Sequence, residues 1–261
     1  MDLGLNGKTV IVTGASRGIG RAIAQRLAAE GCHLHLVARS ENDLTALKNQ
    51  LAGQYNVSVN IHPLDLALSD NVHALVQATR EADILVNNAG AVPAGAIGDV
   101  DESAWRAAWD LKVYGYINLC REIYPVLQQR GGGVIANIIG IAGGELHEFK
   151  YIAGTAGNAA LVAFTRAMGG GSDADNIRVV GVNPGMTATD RLVSLMQQTA
   201  QAKGLSPENW RELTRDMPFG RPAEPEEIAD LTAFLVSERA AYISGTVITV
   251  DGGLSSRGQL F

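Results

Sequence analysis

Thr13-Gly14-Ala15-Ser16-Arg17-Gly18-Ile19-Gly20 follows an apolar, β-branched run, Thr9–Thr13, and leads into a stretch of helical spacing over residues 19–29. A strand that enters a glycine-rich turn and emerges as a helix is the setting in which such glycines carry chemistry. They permit the tight turn and let a pyrophosphate approach the backbone N–H groups at the helix N-terminus. Gly14, Ser16, Arg17, Gly18, Ile19 and Gly20 are therefore expected to form the cradle of a dinucleotide.

Outward from this turn the chain alternates short β-rich runs with longer helical ones. The strand runs are Thr9–Thr13, Leu34–Ala38, Val57–Pro63, Ile84–Asn87, Gly133–Ile138, Arg178–Val182 and Val247–Val250. Helical patterns lie near 19–29, 41–53, 69–80, 102–130, 151–169 and 225–236. Strands separated by helices imply right-handed crossovers and a parallel sheet covered on both faces. The expectation is an α/β fold, a Rossmann-type doubly wound parallel sheet, as a single domain over 1–261. The stretch 187–218 departs from the alternation with two amphipathic pieces, Arg191–Gln201 and Pro207–Arg215, after a strand end where ligands bind. It is expected to be a helical lid over a substrate.

The composition agrees with a globular protein and excludes several classes. The 261 residues are 46% hydrophobic and 18% charged, with a formal net charge of -6, so no basic footprint points to nucleic acid. No apolar run reaches the roughly 20 residues a membrane-spanning helix needs, and Met1-Asp2-Leu3-Gly4 does not open a secretory signal. The two cysteines, Cys32 and Cys120, have no metal-like spacing and read as buried thiols. A cytoplasmic location is expected.

Further motifs follow in order. They are Asp65, then Asn87-Asn88-Ala89-Gly90, then Asn183-Pro184-Gly185 with Thr189 four positions beyond Gly185. Gly220-Arg221-Pro222, Pro225-Glu226-Glu227-Ile228-Ala229, Ser244-Gly245 and Val250-Asp251-Gly252-Gly253 complete the series. With the TGxxxGxG form of the glycine turn, this series resembles the short-chain dehydrogenase/reductase family over nearly the whole chain. The resemblance implies that Asp65 lies near adenine and that Asn87, Ala89 and Gly90 line the cofactor. It also implies that Pro184, Gly185 and Thr189 hold the nicotinamide carboxamide. Arg39, at the end of the second strand where NAD-preferring sites carry an acid, joins Arg17 as a pair of guanidinium forks suited to a 2′-phosphate. NADP(H) is therefore expected over NAD(H).

The family's chemistry rests on a serine, a tyrosine and a lysine four residues after it, with an asparagine in the preceding helix. In this chain Asn158-Ala159-Ala160-Leu161-Val162-Ala163-Phe164-Thr165-Arg166-Ala167 resembles the family's K-A-A-L-V-A-L-T-R-A without a gap. An insertion of three residues in this helix, needed to bring Tyr151 and Thr155 into place, would rotate its faces by about 300°. The ungapped frame puts Gly154 at the tyrosine position, Asn158 at the lysine position, Gly140 at the serine position and Lys112 at the asparagine position. Tyr151, Lys112 and Asn158 are the candidate substitutes, with Lys112 expected to depress the Tyr151 pKa. The expected function is hydride transfer between NADP(H) and a small carbonyl or alcohol. The alternative is a catalytically silent NADP(H)-binding sensor or assembly partner. A non-redox relative resembling the halohydrin lyases is disfavoured, because those lose the glycine turn. A homotetramer or homodimer is implied by the family.

Overall fold

The computed structural model describes residues 1–257. Seven strands form one parallel sheet in the order β3-β2-β1-β4-β5-β6-β7. They are β1 (Thr9–Thr13), β2 (His33–Ala38), β3 (Val59–Pro63), β4 (Ile84–Asn87), β5 (Gly133–Ile138), β6 (Ile177–Pro184) and β7 (Thr246–Val250). The central strands are buried on both faces, which is why they read as continuous apolar runs rather than alternating ones. The helices are α1 (Gly18–Ala29), α2 (Glu41–Gln54), α3 (Ser69–Gln77), α4 (Glu102–Trp109), α5 (Gly115–Gln129), α6 (Ile152–Gly169), α7 (Asp190–Ala202) and α8 (Pro225–Val236). One core joins α1, α2 and α8 to the sheet through Ile23, Leu27, Leu44, Leu47, Ile228 and Leu235; the other face buries Leu75 of α3 against Leu119, Ile123 and Leu127 of α5. No described helix is long and apolar enough to cross a membrane.

The strand order reverses between β1 and β4, and the crevice outside the carboxyl ends of the strands at such a reversal is where open α/β sheets bind ligands. The glycine turn opens there.

Three elements differ from the sequence expectation. The helix expected over 102–130 is α4, a π-helical segment (Asp110–Tyr114) and α5. Single π-turns are inserted where the ladder of a helix must shift to satisfy outside contacts. The helix expected from 151 begins at Ile152, with Tyr151 outside it at φ -141 and ψ 37. Within 187–218, the second amphipathic piece is 3-10 rather than α-helical (Pro207–Thr214), with Trp210 and Thr214 buried.

A buried polar chain crosses the sheet. Asn87 Nδ2 donates to Asn137 Oδ1 at 3.0 Å, and Asn137 Nδ2 donates to Thr165 Oγ1 at 2.9 Å. It joins β4, β5 and α6 with fully buried groups. Asn137→Ala is expected to lower the unfolding free energy by about 1–3 kcal/mol, the cost of leaving a buried polar group unpaired. Urea denaturation with an unchanged slope checks it, and a loss near zero would show that the chain is ornamental.

Candidate cofactor and active site

The glycine turn is held to the neighbouring strand by two side chains. Thr13 Oγ1 accepts from the backbone N–H groups of Asn88 (2.8 Å) and Ala89 (3.0 Å), and donates to the Val86 carbonyl at 3.4 Å. Asn88 Nδ2 donates back to the carbonyls of Thr13 (3.0 Å) and Gly14 (3.3 Å). Gly14 and Gly18 take left-handed φ values of 65 and 54, and a Cβ on Gly20 would strike the Gly14 carbonyl oxygen. Arg17 is the N-cap of α1, no side chain caps that helix, and its first turn carries no acid. The positive end of the helix and its orphan N–H groups are left for an anion. Ser16 and Ile19 border this opening half-buried.

The remaining cofactor candidates gather around it. Arg39 follows β2 and is exposed, as is Arg17; neither makes an ion pair or side-chain hydrogen bond among the described residues. Asp65 is half-buried and its Oδ1 accepts from Ala67 N at 3.0 Å. Pro184 ends β6, Gly185 N donates to the Val250 carbonyl at 2.8 Å, and Asp251 Cβ leaves no space for a side chain at 185. Thr189 caps α7, and its Cγ2 lies 3.1 Å from where a Gly18 Cβ would be, so the start of α7 returns to the glycine turn. Asn87 behaves differently from the rest. Its amide faces Asn137 and the Cys120 thiol inside the core, so its side chain holds β4 in place and does not face the turn.

Around the end of β5, Lys112, Gly140 and Asn158 come together. Trp109 Nε1 donates to the Ala153 carbonyl at 3.0 Å, and Gly157 lets Val113 approach α6, with its Cγ2 only 3.1 Å from where a Cβ would be. That close approach seats the π-helical segment. From it Lys112 Nζ donates to the Ile139 carbonyl at 2.7 Å, and one turn on Tyr116 Oη donates to the Ile138 carbonyl at 2.9 Å. The stem of Lys112 lies along Gly90, 3.0 Å from where a side chain would begin. Burial lowers the Lys112 ammonium to about 8. Gly140 has φ 134, a conformation that favours glycine, and its N–H donates to Asn183 Oδ1 at 3.4 Å. Asn158 is 2% exposed, with Nδ2 3.1 Å from where a Gly140 Cβ would be and Oδ1 without a partner.

Tyr151 folds its ring back across Gly154, in the space a side chain at 154 would take. It makes no hydrogen bond to Lys112. Burial raises the Tyr151 pKa, and the charge that offsets part of this is Arg191 on α7. The expectation that Lys112 depresses the Tyr151 pKa is thus corrected: the ammonium is engaged with Ile139 O and the phenol shifts the other way. Thr155 turns outward, its hydroxyl donating to the Glu148 carbonyl at 3.3 Å. Sequence reasoning passed over Arg191, whose signal is a cation in the first turn of a helix, where the dipole disfavours it.

Residues 14–255 match the family described as enoyl-(acyl carrier protein) reductase. The chain is 31% identical over 255 residues to a 3-oxoacyl-[acyl-carrier-protein] reductase of Chlamydia muridarum, covering 95% of this chain and 97% of that protein. It is 34% identical over 257 residues to a short chain dehydrogenase/reductase of Aspergillus oryzae, covering 96% of each. Among solved structures it resembles the L-sorbose reductase of Gluconobacter frateurii complexed with NADPH and L-sorbose. That likeness has a TM-score of 0.93 at 34% identity, over 99% of this chain and 100% of the other.

The ring of Tyr151 and an empty position 154 require each other. Gly154→Ala is expected to cost about 1–3 kcal/mol, the usual range for overpacking. In a Tyr151→Ala background the same change should be nearly neutral. A double-mutant cycle by thermal or urea unfolding reads the coupling, and additive effects would show that the ring does not occupy this space.

Proposed function

The chain belongs to the short-chain dehydrogenase/reductase family, and on that premise we propose that it moves a hydride between NADP(H) and a small carbonyl or alcohol substrate. The observation that carries this reading is the open cradle of Gly14, Gly18 and Gly20 at the uncapped, acid-free N-terminus of α1. The cradle fits a pyrophosphate in charge, because the first-turn N–H groups of α1 have no side-chain cap and no acid beside them, and Gly14 and Gly20 let the turn pack closely against Asn88 and Ala89. The orphaned, buried Asn158 Oδ1 fits a hydroxyl donor from a ribose or a substrate. When bound, the reduced nicotinamide supplies the hydride to the carbonyl carbon.

In this reading Ser16, Arg17, Gly18, Ile19 and Gly20 receive the pyrophosphate. Asp65, Ala89 and Gly90 border the adenosine and ribose side, with Asn87 supporting them from the core. Pro184, Gly185 and Thr189 hold the nicotinamide end. Arg39 and Arg17 flank the 2′-phosphate, each exposed and without an ion pair among the described residues. The substrate site is non-standard: Gly140, Gly154 and Asn158 stand at the family's serine, tyrosine and lysine positions, and Tyr151 and Lys112 bring the polar groups from outside them. The segment 187–218 closes over the substrate as a lid of the same domain, and the chain works as a homodimer or homotetramer.

NADPH is expected to bind more tightly than NADH. Arg39→Ala should weaken NADPH by about 10- to 100-fold, the worth of a hydrogen bond to a charged group, and leave NADH nearly unchanged. Fluorescence titration of the bound nicotinamide reads both, and equal affinities in the unmutated protein would overturn the NADP(H) assignment. A panel of carbonyls with NADPH, followed by nicotinamide absorbance, tests the activity. Tight NADPH binding with no turnover of any carbonyl would replace this reading with a silent nucleotide-binding protein.

A further inference from the structure

Strand β3 is an edge of the sheet and pairs with β2 alone, with His62 opposite Val37 and Asn60 opposite His35. Its Val59 and Ile61 pack into the core shared with α1, α2 and α8. On the other face it offers Asn60, which is exposed, and His62, and among the described residues none from β3 joins the core beneath α3 and α5. What ties that face down is a chain of polar side chains. His35 Nε2 binds Glu81 Oε1 at 2.8 Å, His35 Nδ1 meets His62 Nε2 at 2.9 Å, and the two rings stack with centroids 5.1 Å apart. His35 is 5% exposed and His62 is half-buried. We propose that this pair is an acid-operated latch, which holds the edge strand while the two rings carry at most one extra proton and releases it when they take a second.

The donors and acceptors set that count. A carboxylate only accepts, so His35 Nε2 carries a hydrogen. Between His35 Nδ1 and His62 Nε2 there is room for one hydrogen, which with both rings neutral belongs to His62 and is accepted by His35. One extra proton keeps every bond, whether it enters at His62 Nδ1 or makes His35 the donor to both of its neighbours. A second turns both facing nitrogens into N–H groups with nothing between them to accept, and sets two stacked cations against each other. Burial first, and then the charge of His35, hold His62 down at about 4, with Glu81 pulling weakly the other way. Other ionisable groups in the surrounding segments are engaged elsewhere. His33 of β2 accepts from Ser58 N, Asp65 past β3 accepts from Ala67 N, and His73 of α3 binds Glu122. After α3, Arg80 binds Gln77, and Asp83 binds Thr9 N and Arg130.

The latch lies close to the cofactor candidates. Leu64 N, just past β3, donates to the Ala38 carbonyl at 3.1 Å, and Arg39 and Asp65 are the next residues on the two strands. Release of β3 therefore frees the strand end beside them. A His62 held below its ordinary 6.5 binds fewer protons in the folded chain than in the unfolded one. This contribution to stability is full above about 6.5 and is lost as pH falls toward 4.

The experiment uses the full chain without nucleotide, so its outcome is independent of the hydride-transfer reading. H62Q supplies an amide that can donate to His35 or, turned over, accept from it, and that does not titrate. Between pH 7 and pH 4 the unfolding constant from urea denaturation should rise about 10-fold more in the unmutated protein than in H62Q, the linkage discounted for a half-exposed ring. Over the same range, amide protection in β3 and at Leu64 should fall while that of β1 holds. The nitrogen–nitrogen coupling across the His35–His62 hydrogen bond, read by NMR on 15N-labelled protein, should be present at pH 7 and absent below pH 4. Equal pH dependence in the two proteins, unchanged protection of β3, or a coupling that persists through pH 4 would overturn the proposal. If H62Q does not fold, amide protection and the coupling in the unmutated protein decide alone.

Discussion

One hydroxyl and one amide hold the functional end of this molecule together. Strands β1 and β4 are neighbours in the sheet but lie some seventy residues apart in sequence, and their ladder stops before the turns that follow. Thr13 Oγ1 and Asn88 Nδ2 continue the pairing where the backbone cannot, satisfying two N–H groups and two carbonyls that would otherwise be orphaned. Leaving such groups unpaired costs about 1–3 kcal/mol each. The Gly14 turn lies directly against Asn88 and Ala89, so its shape is set by β4 as much as by its own glycines. Gly90, one step further along the same turn, receives the stem of Lys112. The glycine turn and the corner at the end of β5 are thereby referenced to a single joint.

At the end of β5 the cation comes from the π-helical segment and not from α6. Along α6 the facing positions are small or neutral, Gly154, Gly157 and Asn158, and the cation arrives from the helix on the other side. The π-segment makes this possible. Each added residue turns a helix by about 100°, so widening one turn redirects Lys112 and Tyr116 together. They meet the consecutive carbonyls of Ile139 and Ile138. Gly157 and the Trp109–Ala153 hydrogen bond hold the widened turn against α6. A half-buried ammonium with one carbonyl partner and, among the described residues, no carboxylate is unfavourable by itself. Just before α6, Tyr151 lays its ring in the slot that the missing side chain at 154 leaves.

Much of this was open to reading in one dimension. The seven strands and their helices follow from apolar period and from turn residues, which are local properties. Gly14, Gly18 and Gly20 announce a cradle because strand, turn and helix are consecutive. Partnerships across space were not legible. Nothing near Lys112 in sequence names Ile139 as its acceptor, nothing near Asn87 says that its amide turns inward to Cys120 and Asn137, and nothing near Tyr151 says that its ring lies over Gly154. Each is settled by the distance between α6, the π-turn and the end of β5, and that distance depends on small residues and single hydrogen bonds contributed by distant parts of the chain. Local pattern therefore specifies the sheet and the cradle, while the direction of each polar side chain, and with it the pKa of Lys112 and Tyr151, arises only when those elements pack and exclude water.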